Sequence, residues 1–480
     1  MRHTCLAVTA LALLGCEANK APKPPEATNQ APAASTPAAS GLASASAAPD
    51  AAAGPPKDRV ILLSIDALRA DYLHKPDQFG LKIPTLRKLV ERGAHAQALV
   101  SVWPTVTYPA HATMVTGVPP AAHGIITNAP YDPKGLKDDA WHWNADEIHS
   151  RTLWDAAMDK GLTVGNVYWP STVGAKITYS FPQIWKAKNK LDDELLLSVG
   201  TPGLGQEMLA AMNSLPSEHR DDVARGDGAV FLLERKNPDF LLVYLTDFDT
   251  QQHSFGPAAK EAVKVLEVID AQVARILAAT HDEAMDHTTL FVVSDHGFSP
   301  IDKAVRPGVL LRRAGLVETD SHEKVVTYRA AMHGAGGMCA INIDDTLDTK
   351  THKTVLGILQ RAVKDPKSGI ARFFTREQMR GKEGFPNAAF VIEAANGFKC
   401  AGGYAGDPVV SWPERGAHGY APDRPEMFAT FLAAGRGIRK GVKLGQVQMV
   451  DVAPTVAAAL RIPFDSAKGH VITDAFTGPR

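Results

Sequence analysis

Arg59-Val60-Ile61-Leu62-Leu63-Ser64-Ile65-Asp66 is the stretch that decides the fold of this chain: a nearly unbroken apolar, β-branched run that stops at a carboxylate. Such a run reads as a strand buried on both faces, which is the habit of a parallel sheet. Thr163 to Tyr168, Phe240 to Leu245 and Thr289 to Val293 repeat the pattern. Helical spacing lies between them. It covers Pro84 to Arg92, then Arg151 to Lys160 with Ser150 as N-cap and Gly161 as stop. It also covers Pro257 to Ala279, with Pro257 in the first turn and Val263, Leu266, Ile269, Val273 and Ile276 on one face. Strands alternating with helices predict an α/β fold, a mostly parallel sheet sandwiched by helices.

The ends of these strands carry the chemistry. In open parallel sheets ligands bind beyond the carboxyl ends of the strands. Here those ends run into Asp66, into Asp247 and Asp249, and into Asp295-His296. Asp249-Thr-Gln-Gln-His253 and a later Gly416-Ala-His418-Gly-Tyr420 add imidazoles. Carboxylates and histidines are what zinc takes where thiolates are lacking, although manganese accepts the same donors. Three of each suffice for two divalent cations once a nucleophile or water completes the shells.

Taken in order, the segments are Ile65-Asp66-Ala-Leu-Arg69, Pro104-Thr-Val-Thr107-Tyr-Pro-Ala-His111, Val115-Thr-Gly117, His123-Gly-Ile125 with Asn128, Trp169-Pro170, Asp249 to Pro257, Ser294-Asp-His-Gly297 and His418-Gly-Tyr420. The series resembles the alkaline phosphatase superfamily, and within it the nucleotide pyrophosphatase/phosphodiesterase branch. The resemblance runs from Asp58 to about Ser299 and resumes from His418 through Asp451-Val-Ala-Pro-Thr455, leaving residues 300–415 as an insertion or cap of open role. It implies one cation, expected to be Zn2+, held by Asp249, His253 and His418. A second is held by Asp66, Asp295, His296 and the Thr107 hydroxyl. It further implies attack on phosphorus by Thr107 through a phosphothreonine intermediate, with Asn128 donating to a nonbridging oxygen. Tyr108 to Met114 reads as the start of a helix whose backbone N–H groups hold phosphoryl oxygens. Two positions depart from the family pattern, Phe248 for a proline and Gln252 for a glycine, and Asp247 is a rival ligand to Asp249.

A neutral amide donor with no matching arginine clamp favours a diester or pyrophosphate substrate over a monoester dianion. A phosphonoacetate-type C–P hydrolase and a phosphomonoesterase of the same superfamily are the enzymatic alternatives. A catalytically silent, metal-binding envelope lipoprotein is the non-enzymatic one. No GK[ST] phosphate loop and no Cys-x-Pro-x-Arg segment occurs, which argues against a P-loop hydrolase and a formylglycine sulfatase. With 51 basic against 52 acidic residues, no global field favours nucleic acid, so specific nucleic-acid binding is not expected. The partner is instead a small phosphodiester, nucleotide or phosphonate.

Arg2, the apolar run Leu6 to Leu14 and Leu13-Leu14-Gly15-Cys16 resemble a bacterial lipoprotein signal, with residues 1–15 removed and Cys16 acylated. An ordinary cleaved signal peptide is the alternative. Residues 16–57 are rich in Pro and Ala and read as a tether between a lipid anchor in the cell envelope and a domain over 58–480. Cys339 and Cys400 are left as a pair that either bridges or stays as two thiols. His111, His123 and His142 read as structural histidines, with catalytic acids as the alternative, and His333 in His-Gly-Ala-Gly-Gly-Met as a turn, with a segment lining substrate as the alternative. Tyr168 and Trp169 are candidates for stacking on a leaving group, with core packing as the equal alternative.

Overall fold

A computed structural model describes residues 57–137 and 140–478. The Cys16 motif, the signal-like stretch 1–15 and the tether up to residue 56 lie outside the described residues. The opening run forms β1 (Arg59–Ile65), every residue of it buried, so both its faces are covered as its apolar character requires. With it stand β2 (Gly93–Val100), β3 (Val164–Val167), β4 (Tyr179–Phe181), β5 (Phe240–Leu245), β6 (Thr288–Val293), β7 (Phe431–Gly435) and β8 (Val442–Gln448). They build one eight-stranded sheet in the order β8-β2-β7-β6-β1-β5-β3-β4. Every neighbouring pair is parallel except those of β7, which runs against β2 and β6. The fold is therefore the mixed α/β class expected.

Register brings the reactive ends together. β1 is flanked by β5 and β6, with Ile65 opposite Leu245 and Ser64 opposite Val293. Asp66, Asp247 to Asp249 and Asp295-His296 therefore emerge along one rim. The Asp66 N–H extends the ladder by donating to Leu245 O at 2.9 Å.

Two helices differ from the sequence expectation. The first spans Leu153–Asp159, and its cap is Thr152 instead of Ser150. Thr152 Oγ1 accepts from Asp155 N at 3.2 Å while Asp155 Oδ2 accepts from Thr152 N at 3.1 Å, a reciprocal box that Ser150 is too early to make. The second, expected from Pro257, starts at Lys260 and runs Lys260–Ala278, and a separate helix that the spacing did not mark, Asp247–Phe255, precedes it. The chain breaks at Gly256 with φ +94, and Pro257 lies between them. The helix Asp247–Phe255 is the useful surprise, because it puts Asp249 and His253, four apart, on one face.

Residues 299–417 form a second layer with its own core around Ile341, Val355, Leu359 and Ile392. Strands Ala330–Ala335, Met338–Ile343, Phe390–Ala394 and Ile370–Thr375 make an antiparallel sheet against which helix Thr349–Lys364 packs. Gly336-Gly337, at the tip of its first hairpin, presses on the segment that carries His418. Gly337 N–H donates to His418 O at 2.7 Å, and a Cβ on Gly419 would lie 1.8 Å from Ala335 O. Buried Glu393 accepts from Arg424 Nε at 2.7 Å and from Ala421 N at 3.2 Å, fastening the same junction. Cys339 and Cys400 are both buried thiols with Sγ atoms 2.8 Å apart. Among the described residues no helix is long and apolar enough to cross a membrane.

Candidate active site

Thr107 is the first residue of helix Thr107–Thr116, where backbone N–H groups lack helical partners. Its Oγ1 lies 3.3 Å from His296 Nε2, in a pocket that leaves Thr107 only 7% exposed. His296 Nε2 is also 3.5 Å from Asp66 Oδ1 and 3.2 Å from Asp295 Oδ2. On the other side Asp249 Oδ1 stands 3.9 Å from His418 Nε2, and Asp249 Oδ2 3.5 Å from His253 Nε2.

The donors are arranged as cation ligands. His253, His296 and His418 each donate Nδ1–H to a backbone carbonyl, those of Gly416, Gly297 and Thr105, all at 3.1 Å. That sets the tautomer of the neutral ring and points every Nε2 toward the carboxylates. Asp66 Oδ1, Asp249 Oδ1 and Asp295 Oδ2 are buried without a hydrogen-bond partner, an expense that a protein carries where a cation supplies the missing contact. Two sets have ligand atoms within 4.8 Å of one another: Asp66, Asp295 and His296, and Asp249, His296 and His418. The residues therefore fit two divalent cations. The grouping differs from the expected division at His296, which belongs to both sets because its ring stacks on that of His418 at 3.7 Å. His253 reaches Asp249 from the flank.

Crowding sets the electrostatics. Burial, with Asp295 and Asp249 beside it, pushes the Asp66 carboxyl well above its ordinary range. Burial also raises Asp249, to about 6, with His253 opposing and Asp295 reinforcing. Burial holds His296 and His418 well below the usual imidazole range, so both stay neutral. Neutral imidazoles among mutually repelling carboxylates are the state a metal replaces protons in.

Asn128 sits beside the start of the Thr107 helix, its Oδ1 accepting the Tyr108 N–H at 3.0 Å. The amide orientation follows: Nδ2 is the free end. The same bond corrects the expectation for the helix start. The Tyr108 N–H is spent, Pro109 has none, and Ala110 N–H bonds Val106 O at 3.1 Å, so Thr107 N–H alone remains of the first turn. Asp247, the rival ligand, faces away, accepting from Asp222 N at 2.8 Å and lying 3.3 Å from Arg225 Nη1.

Tyr168 and Trp169 are a correction: both are 0% exposed and cannot stack on a leaving group. Tyr168 donates to Glu218 under the Arg225 guanidinium, and Trp169 packs edge-on against His111. Tyr108, next to Thr107, is buried as well and packs on Trp141, which in turn meets Trp185, at 5.4 and 4.8 Å between ring centres. His111, His123 and His142 are structural, bound to Thr107 O and Ser64, to Thr113, and to Glu147.

Two further residues carry no motif that marks them. Tyr244 donates its hydroxyl to Asp66 Oδ2. Thr105 ties the segment that leads into the Thr107 helix to the His418 segment, its Oγ1 accepting from Gly419 N at 3.1 Å. His333 lies on a strand, not in a turn, and lines two adjoining cavities of about 330 and 460 Å³. The smaller reaches Asn128, His253 and His418, and among the described residues Lys399 is the one lysine or arginine that lines it, held by Glu414 Oε2 at 2.7 Å.

Comparison with known proteins agrees with this architecture. The family model described as type I phosphodiesterase / nucleotide pyrophosphatase matches residues 60–421. Ectonucleotide pyrophosphatase/phosphodiesterase family member 1 of Homo sapiens is 30% identical over 257 residues, 52% of this chain and 24% of that protein. Venom phosphodiesterase 2 of Crotalus adamanteus is 30% identical over 260 residues, 52% and 28% of the respective chains. The chain thus spans about a quarter of the length of these curated relatives. Human ectonucleotide pyrophosphatase/phosphodiesterase 5 superposes with a TM-score of 0.62 at 19% identity, covering 88% of this chain and all of that one. An inactive threonine-to-alanine variant of the murine counterpart, solved in complex with AMP, superposes with the same TM-score of 0.62 at 18% identity and the same coverage. The solved structures share the fold, and the match over residues 60–421 carries the assignment: this chain belongs to the type I phosphodiesterase / nucleotide pyrophosphatase family.

Proposed function

We propose that this protein hydrolyses phosphodiester or pyrophosphate bonds, with Thr107 as nucleophile. One juxtaposition carries the reading: the Thr107 hydroxyl at a helix start, 3.3 Å from an imidazole nitrogen that it shares with the Asp66 and Asp295 carboxylates. Asp66, Asp295, His296 and Thr107 would hold one divalent cation, and Asp249, His253 and His418 the other, zinc being the ion best suited to these donors. Such ions supply Lewis-acid stabilisation of the oxygens that gain charge at phosphorus.

The Thr107 oxygen bonds to phosphorus as the bond to the leaving-group oxygen breaks, the hydroxyl proton ending on the departing oxygen; water then adds to phosphorus, the Thr107 O–P bond breaks and Thr107 regains a proton. Asn128 Nδ2 and the Thr107 N–H converge on a nonbridging oxygen from the protein side, donors whose own positions are fixed before substrate arrives. Both donors are neutral. With Lys399 engaged by Glu414, the described residues lining the smaller cavity present a monoester dianion with no unengaged ammonium or guanidinium, and this favours monoanionic diesters. Nucleotide substrates are supported by the AMP held in the murine relative. The Leu13-Leu14-Gly15-Cys16 sequence supports a lipid-anchored location in a bacterial envelope, which labelling with a fatty-acid probe and loss of label in Cys16→Ala would test.

Purified protein should hydrolyse bis(p-nitrophenyl) phosphate faster than p-nitrophenyl phosphate, and Thr107→Ala should abolish turnover while retaining metal. Preference for the monoester would overturn the diesterase assignment. An active Thr107→Ala would overturn the mechanism.

A further inference from the structure

We infer that His333, on the inserted sheet, is a positioning residue that holds Asn128 in register with Thr107. The inference rests on the function proposed above. Thr127 and Ala129 flank Asn128, and the Thr127 hydroxyl gives its proton to Ala129 O at 2.5 Å. Its remaining lone pair faces His333 Nε2 at 2.9 Å, and Ala129 O lies 3.2 Å from the same nitrogen. Two acceptors around one ring nitrogen require that nitrogen to carry the proton. One N–H therefore bridges the residues on either side of Asn128.

The rest of the loop shows why that bridge matters. The Asn128 carbonyl accepts from His142 N at 3.1 Å, and its side-chain oxygen accepts from Tyr108 N at 3.0 Å. Both bonds hold Asn128 from the side of the main domain. His333 supplies the restraint from the opposite wall, with Tyr131 against its ring at 5.3 Å. Its strand, Ala330–Ala335, leads into the Gly336-Gly337 tip that binds His418 O. A single hairpin thus braces both the phosphoryl-binding amide and a cation ligand. Burial lowers the His333 pKa, which keeps the ring in its neutral, single-donor form. His333 touches no reacting atom, and its effect passes through Asn128.

The test is a double-mutant cycle on kcat for bis(p-nitrophenyl) phosphate, using the full chain loaded with Zn2+. Asn128→Ala should lower kcat by about 10²-fold, the usual loss for one preorganised donor. His333→Phe keeps a ring but no donor and should lower kcat by about tenfold or more, with KM changed less than about twofold, as misplacement of a catalytic group does. In the Asn128→Ala background the same change should cost less than about twofold, since no donor is left to position. His333→Gln, which restores an N–H, should recover most of the loss. If His333→Phe does not fold, Thr127→Val removes the acceptor instead and should behave in the same way, and zinc content should be native in either variant. Equal losses in both backgrounds, or native kcat in His333→Phe while Asn128→Ala is impaired, would overturn the inference alone. Native kcat in Asn128→Ala would instead overturn the role proposed for Asn128 and with it the inference.

Discussion

Cation uptake should release protons, and the number is set by Asp249 and His253. These side chains lie 3.5 Å apart and are buried together, so they titrate as a pair. Burial has raised Asp249 from 3.8 to about 6, and Asp249 in turn raises His253 above 6.5 against the effect of burial. At pH 6, Asp249 is then about half protonated, and His253, raised from its ordinary value, holds its proton more readily than a free imidazole. A divalent cation needs both groups bare. Binding at pH 6 should therefore release about half a proton from Asp249 and a further share from His253, and at pH 8 almost none from Asp249. His296 and His418, held well below 6.5, add none. Asp66, raised like Asp249, adds in the same direction. From Asp249 alone the apparent affinity should fall about tenfold between pH 7 and pH 5, or ~1.4 kcal/mol, whereas a carboxylate at 3.8 would change it by a few per cent. Isothermal titration of metal-stripped protein with Zn2+, in buffers of different ionisation enthalpy at pH 6 and pH 8, counts the protons directly. Release of less than about half a proton at pH 6 would refute the placement of Asp249 and His253 in one ligand set.

Tyr244→Phe removes the hydroxyl that orients Asp66 and should weaken metal binding about 10- to 100-fold with little change in melting temperature, measured by chelator competition. Gly419→Ala puts a Cβ 1.8 Å from Ala335 O at a φ of +87, so it should cost about 2–4 kcal/mol in denaturant unfolding and lower the bound metal. Native stability there would show that the hairpin does not bear on His418. Arg225→Met strands the carboxylates of Asp222 and Asp247 around a site 2% exposed. It should cost about 3–5 kcal/mol while zinc stoichiometry stays native, which separates this network from the metal cluster.

The sheet and its reactive rim were legible because burial on both faces leaves a continuous apolar run, and the first polar residues after it mark the strand end. β1 and β5 match their expected bounds for that reason. Helix limits were less legible where a side chain decided them, as in the Thr152–Asp155 box, or where Gly256 opposes a neighbouring backbone. Tyr244 was hidden inside the apolar run of β5, where a phenol reads as one more large side chain. Tyr168 and Trp169 were misleading in the opposite sense, since aromatic character alone does not distinguish a rim from a core. The role of the 300–415 stretch was illegible because much of its hold on the site is through main chain, as Gly337 N–H to His418 O, and main-chain bonds leave no motif.

The position of His418 has a consequence for biogenesis. Asp66, Asp249, Asp295 and His296 are all synthesised before the inserted layer begins, yet the last ligand follows it and is braced by its hairpin. A nascent chain therefore holds most of the donor set long before it can close it. A lesion in the inserted sheet should therefore yield a chain whose main sheet is folded but which carries too little metal, a defect visible in metal analysis before it is visible in a melting curve.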